Sequence, residues 1–180
     1  MIVLFNKPFN VLSQFTDNKK ISMSRGNLSD YIDVPNVYPA GRLDKDSEGL
    51  LILTDQGKLQ QKISDPKYKM TKTYWVQIEG NIAEDSLNNL RHGVQLKDGM
   101  TRKAIVKRIK QPHNLWLQKP PIRERKNIPD KWIEIIISEG KNRQIRRMTA
   151  AVGHPTLRLI RTRIGDWHLN DLRNGTYKIL

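Results

Sequence analysis

Ala40-Gly41-Arg42-Leu43-Asp44-Lys45-Asp46-Ser47-Glu48-Gly49-Leu50-Leu51-Ile52-Leu53-Thr54 joins a charged, glycine-bounded stretch to a solid apolar run, Leu50 to Leu53. Such a run between turn formers predicts a buried strand. The charged stretch before it is then a loop at the edge of the core, where a rigid strand can fix the geometry that catalytic groups need. Two plainer readings compete. Gly, Asp and Ser are turn formers, so the same residues suit a solvated turn. Asp44, Asp46, Glu48 and Gly49 also fall on positions one, three, five and six of a calcium-binding loop. The twelfth position is Asp55 instead of Glu, and Tyr38-Pro39-Ala40-Gly41 does not end a helix, so calcium is not expected.

The 180 residues suffice for one domain or two tightly joined lobes, and 37% hydrophobic content supports a core. Lys plus Arg number 32 against 18 Asp plus Glu, a net charge of +14. That excess points to a polyanionic partner, most simply nucleic acid. With no cysteine there are no disulfides and no thiolate zinc sites, in keeping with a reducing cytoplasm. His92, His113, His154 and His168 never fall at ligand spacing, so no metal is expected. Ile2 to Phe5 is too short for a signal peptide and no segment approaches a membrane span. A cytoplasmic monomer away from membranes is the expectation.

In chain order, Ile2 to Phe5 predicts a strand stopped by Asn6-Lys7-Pro8, with Val11 to Phe15 continuing the sheet and a loop over 17–27. Leu28 to Ile32 reads as one or two helical turns, ended by Val34-Pro35. Gly57 to Ile63 reads as a short helix with Leu59 and Ile63 inward. Lys72 to Gly80 alternates, predicting a strand with Tyr74, Val76 and Ile78 on its apolar face. Tyr74 is then a half-buried aromatic or, beside a nucleic acid, a platform for an unpaired base.

Ile82 to His92 predicts an amphipathic helix stopped by Gly93. Lys103 to Lys110 reads as a basic strand, with Leu115-Trp116-Leu117 pairing nearby. The proline-bracketed connector from Pro120 to Pro129 carries Arg123, Arg125 and Lys126, either as a solvated loop or as a phosphate-contacting arm. Trp132 to Ser138 predicts a strand that turns into a helix over 143–152, with Asn142 as N-cap. Ile145, Met148 and Val152 form its core stripe, while Arg143, Arg146 and Arg147 share another face. Three arginines at a helix start oppose the macrodipole, so they call for an anionic partner: a carboxylate within the fold, or RNA phosphates. Leu157 to Gly165, which contains Arg161, is another basic strand.

Three stretches carry a resemblance. Arg-Leu-Asp-x-x-Ser-x-Gly-Leu from Arg42, Lys-x-Tyr-x-Val-x-x-x-Gly from Lys72, and Gly-Lys-Asn-Arg-Gln-Ile-Arg-Arg-Met from Gly140 resemble, in order, the motifs of the ribosomal RNA pseudouridine synthases. Leu4-Phe5-Asn6-Lys7-Pro8 resembles their opening strand. The resemblance implies an α+β catalytic domain with a mixed, mainly antiparallel sheet, flanking short helices, and two lobes, about 1–70 and 71–180, around a basic cleft. Members of that family often carry an N-terminal RNA-binding domain of the S4 type, whereas these 180 residues open on the strand that resembles the catalytic domain. The expectation is that the chain's own basic surface binds RNA or that such a piece lies outside this sequence, and no cofactor is expected. The activity implied is isomerisation of a uridine to pseudouridine in large-subunit ribosomal RNA, free or in an assembling particle.

The resemblance also assigns roles. Asp44 maps onto the catalytic aspartate. Tyr74 maps onto the tyrosine that packs against the target base, and Arg42, from its place two residues before Asp44, is expected to fill the space of the flipped base or hold the nucleotide. Arg146 pairs with the aspartate, and a cation beside a carboxylate favours its charged form. Lys141 stands where many relatives have arginine. Apart from those roles, the basic side chains of Lys72, Arg123, Arg125, Lys126, Lys141, Arg143, Arg147 and Arg161 are expected at RNA on account of the chain's charge. A non-catalytic RNA-binding protein or assembly factor fits the charge equally well. A hydrolase using Asp44 and Asp46 fits less well, because carboxylates two apart in a loop rarely face one bond.

Overall fold

The computed structural model describes residues 1–16, 25–122 and 129–180. The first strands and helix are β1 (Ile2–Lys7), β2 (Tyr38–Pro39), β3 (Glu48–Thr54), α1 (Gly57–Ser64) and β4 (Lys72–Glu79). Next come α2 (Glu84–His92), β5 (Gln95–Leu96), β6 (Gly99–Met100), β7 (Ile105–Ile109) and β8 (Asp130–Ile137). The chain closes with α3 (Gln144–Ala151), β9 (Thr156–Ile164), β10 (Trp167–His168) and β11 (Tyr177–Ile179). The architecture is α+β, as expected. Among the described residues no helix is long and apolar enough to cross a membrane.

Two compact units emerge: Met1–Met70 with Arg161–Leu180, and Thr71–Ile160. The second lobe, expected to run to residue 180, therefore ends at Ile160. The reason is pairing: β11 lies antiparallel to β1, with Leu4 opposite Lys178.

In the first unit β1 also pairs antiparallel with β3, and all seven residues of β3 are buried. A strand covered on both faces has no solvent side, which is why its sequence runs apolar without alternating. Val3, Phe5, Leu28, Ile32, Val37, Leu51 and Leu53 form one core cluster. The helix at Leu28–Asp30 is a single 3-10 turn with a reciprocal cap between Asn27 and Asp30. The strand expected over Val11 to Phe15 shrinks to one bridge, Val11 with Gly26. Lys7 Nζ occupies the Val11 carbonyl instead, and Asn10 turns the chain with φ 60°. Of the loop expected over 17–27, residues 17–24 lie outside the described residues.

In the second unit β8 is central, antiparallel to β4 on one side and β7 on the other. Tyr74 stands opposite Ile135 and Val76 opposite Ile133, with Val76 and Ile78 fully buried. Leu87 and Leu90 of α2 are buried, as their spacing requires. With both edges of β8 filled, Leu115 to Leu117 forms no strand: the Trp116 carbonyl accepts Arg158 Nη2 at 2.9 Å and Leu117 is 86% exposed.

The β5–β6 hairpin packs against the end of α2 through Gly93. Its φ is 116°, and a Cβ there would stand 2.5 Å from the Thr101 carbonyl oxygen. Gly93→Ala should lose about 2–3 kcal/mol from combined backbone strain and backbone clash. The check is a lowered urea midpoint with an unchanged m-value.

Candidate active site

The loop between β2 and β3 carries Arg42, exposed, and Asp44, half-buried. Gly49, at the start of β3, has φ 99°, a conformation L side chains rarely adopt, and it re-aims the chain from loop to strand. The backbone around Asp44 is tied at successive residues. Ser13 Oγ donates to the Leu43 carbonyl at 2.7 Å and accepts the Leu43 N–H at 3.0 Å. The Asp44 carbonyl accepts the Ser47 N–H at 3.0 Å, and the Lys45 carbonyl accepts the Asn10 N–H at 2.6 Å.

Two buried basic side chains lie behind this loop. Lys7 is fully buried, and its Nζ donates to the carbonyls of Pro8 and Val11 at 2.8 Å each and reaches Lys45 O at 3.5 Å. Burial pushes its pKa down to about 7, against the pull of the Glu48, Asp46 and Asp44 carboxylates. Arg161, on β9, is 3% exposed; its Nε donates to Leu50 O at 2.8 Å and its Nη1 to Arg42 O at 3.4 Å. It spans the two ends of the charged loop.

That placement corrects the expectation for Arg161. Its guanidinium clamps backbone carbonyls inside the first unit and is not presented to phosphate. Arg161→Met should lower stability by about 2–3 kcal/mol, because the Leu50 and Arg42 carbonyls lose their partner. The slope of log Kd against log salt for RNA should not change, whereas loss of a phosphate contact would reduce it by about one. Denaturation and salt titrations of RNA binding check the two halves.

The second unit holds Lys72, Tyr74, Lys141, Arg143, Arg146 and Arg147. Tyr74 is 8% exposed on the inward face of β4, and Lys72 on the same strand is half-buried. The turn into α3 is set by Gln144, not by Asn142. Gln144 Oε1 accepts the Lys141 N–H at 3.0 Å, and its Nε2 donates to Glu139 Oε1 at 2.6 Å. Glu139 Oε1 also accepts the Arg102 N–H at 2.8 Å. Arg143 is consequently the N-cap, in the left-handed region at φ 47°. The core stripe holds at Ile145 and Met148, joined by the buried Gln144 and Thr149.

Arg146 lies in the first turn of α3, half-buried. Arg147 has its anionic partner within the fold: it grips Asp98, at the β5–β6 turn, with contacts of 2.7 and 3.2 Å. The guanidinium holds the Asp98 carboxyl below the usual carboxylate range. Arg147 was expected at RNA; its fork is occupied by this carboxylate. Arg123, Arg125 and Lys126 lie outside the described residues.

Residues 1–151 match the family described as RNA pseudouridylate synthase. The chain belongs to that family. As an RNA pseudouridylate synthase it is an isomerase. It is 54% identical over 177 residues to the ribosomal large subunit pseudouridine synthase E of Vibrio parahaemolyticus, covering 98% of this chain and 72% of that protein. It is 54% identical over 172 residues to the protein of the same name from Xanthomonas axonopodis pv. citri, covering 96% and 90%. It also resembles a crystal structure of a pseudouridylate synthase with TM-score 0.79 and 28% identity, covering 99% of this chain and 69% of the other.

In this synthase the residues that sequence reading missed are those behind the charged loop. Lys7 was seen only as part of the Asn-Lys-Pro opening, and Ser13 as part of a strand. A lysine followed by proline at the end of an apolar strand was the available signal, since a strand that runs into the core drags its last side chain with it. Nothing in spacing marked Ser13 or the Gln144–Glu139 pair.

Proposed function

We propose that this synthase isomerises a uridine of large-subunit ribosomal RNA to pseudouridine, with Asp44 as the catalytic carboxylate. The observation that carries the substrate reading is 51–54% identity, over nearly the whole chain, to relatives named ribosomal large subunit pseudouridine synthase E. The net charge of +14 supports an RNA partner. The role of Asp44 rests on the Arg-Leu-Asp-x-x-Ser-x-Gly-Leu motif and on a backbone held at successive residues around it.

The target uridine leaves its stack, at a cost of about a few kcal/mol. Arg42, exposed two residues before Asp44, fills the vacated space or holds the nucleotide. Asp44 starts cleavage of the bond between C1′ and N1, by attack on the ribose, by attack on the base, or by taking the 2′ proton. The freed uracil turns and rejoins C1′ through C5. The proton lost from C5 is balanced by one gained at N1, so no oxidant and no second substrate enters. The motif resemblance that assigns Asp44 also assigns Tyr74 to stacking on the uracil and Arg146 to the basic role in the reaction.

Incubation with large-subunit ribosomal RNA, followed by pseudouridine mapping, tests this. One new pseudouridine made by the wild type, and none by Asp44→Asn, is the expected result. Tight binding by both with no modification, on naked RNA or on particles, would favour an assembly factor instead.

A further inference from the structure

We propose that Ser13 is a positioning residue for Asp44, an inference that rests on reading Asp44 as the catalytic carboxylate. Ser13 Oγ is the donor to the Leu43 carbonyl at 2.7 Å and the acceptor of the Leu43 N–H at 3.0 Å. A hydroxyl combines donor and acceptor in one atom, so a single side-chain atom closes both backbone groups of the residue before Asp44. Ser13 is 5% exposed and the Leu43 side chain is also buried. Water therefore has no room to replace the hydroxyl without entering the core.

The mechanical consequence follows from peptide planarity. The Leu43 carbonyl and the Asp44 nitrogen and Cα lie in one plane. Holding that oxygen holds the plane, and with it the direction in which the Asp44 side chain leaves the backbone. The next two peptides are fixed independently, by the Ser47 N–H on Asp44 O and the Asn10 N–H on Lys45 O. Ser13 supplies the constraint on the near side of the aspartate.

The strut is itself anchored. The Leu12 N–H donates to Gly26 O at 2.9 Å, and the Leu28 N–H donates to Gln14 O at 2.9 Å, so both neighbours of Ser13 are held. Lys7 Nζ binds the Val11 carbonyl at 2.8 Å. A side chain on a braced segment transmits position, and a carboxylate displaced by about 1 Å can lose on the order of a hundredfold in rate.

Ser13→Ala should lower the single-turnover rate constant at saturating enzyme by about 10- to 100-fold. Its Kd for the same RNA should stay within about twofold, since no phosphate contact is removed. Leu87→Ala, a cavity in α2 of the second unit, serves as a control for lost stability. Measured well below its Tm, it should keep the rate within about twofold. Should Ser13→Ala not fold, Ser13→Cys takes its place; a thiol is a weak donor and acceptor, and the same loss in direction is expected. The proposal is overturned by an unchanged rate constant in a folded Ser13 variant, or by a rate loss no greater than that of a Leu87→Ala protein of equal Tm. An inactive Asp44→Asn beside a fully active Ser13→Ala would remove Ser13 alone. An active Asp44→Asn would remove the reading of Asp44 and the proposal with it.

Discussion

Asp44→Asn should reduce single-turnover pseudouridine formation by about 10³- to 10⁴-fold while RNA affinity stays the same or rises slightly. Asparagine keeps the size of the side chain and removes what the chemistry uses, whether the carboxylate acts as nucleophile or as base. The fold should survive the change. The backbone bonds through the Leu43 N–H and carbonyl and the carbonyls of Asp44 and Lys45 remain in the variant, and asparagine keeps the shape of the side chain. Removing a negative charge from a protein of net charge +14 weakens no phosphate contact and slightly favours the polyanion. Thermal melting, RNA binding and single-turnover assays on the same preparation separate these effects. Turnover within tenfold of wild type would show that another group starts the reaction.

The placement of the loop that carries Asp44 was legible because its signal is local. The charged loop abuts Leu50 to Leu53, and a run that apolar has to be the covered strand β3. Tyr74 was legible for a similar reason: alternation along Lys72 to Glu79 placed it inward with Val76 and Ile78, where it lies. What stayed hidden depends on residues that meet only after folding. Arg161 sits in a strand studded with arginines, and a charge in such a strand reads as exposed until the charged loop is known to pass over it. The carboxylate that meets Arg147 comes from a hairpin with two-residue strands, too short for any periodicity to register. The start of α3 moved from Asn142 to Arg143 because Gln144 captures the Lys141 N–H, and a buried glutamine turning back on its own helix start has no composition signal.

Lys7→Met should change how stability depends on pH. Lysine has an ordinary pKa near 10.5, and in the fold burial pushes Lys7 down to about 7. Between those values the unfolded chain holds a proton that the folded chain has released, so stability rises with pH across that window. Above it the contribution is complete; as pH falls through about 7 it is lost. The maximal slope is about 1.4 kcal/mol per pH unit, which amounts to on the order of 3 kcal/mol between pH 7 and about pH 9.5. Nζ faces three backbone carbonyls, those of Pro8 and Val11 at 2.8 Å and that of Lys45 at 3.5 Å, and no carboxylate replaces them in these bonds. Glu48, Asp46 and Asp44 oppose the shift and Arg161 reinforces it, so these are the charges that set the window. Methionine fills similar volume and has no proton to exchange. Other groups titrate in both proteins, so the quantity to follow is the difference in unfolding free energy, wild type minus Lys7→Met, from pH 6 to about pH 9.5. That difference should be flat below pH 7 and then grow in favour of the wild type. Parallel curves throughout would mean that Lys7 keeps its proton in the fold, and that its ammonium is better paired with Glu48 and Asp46 than its burial suggests.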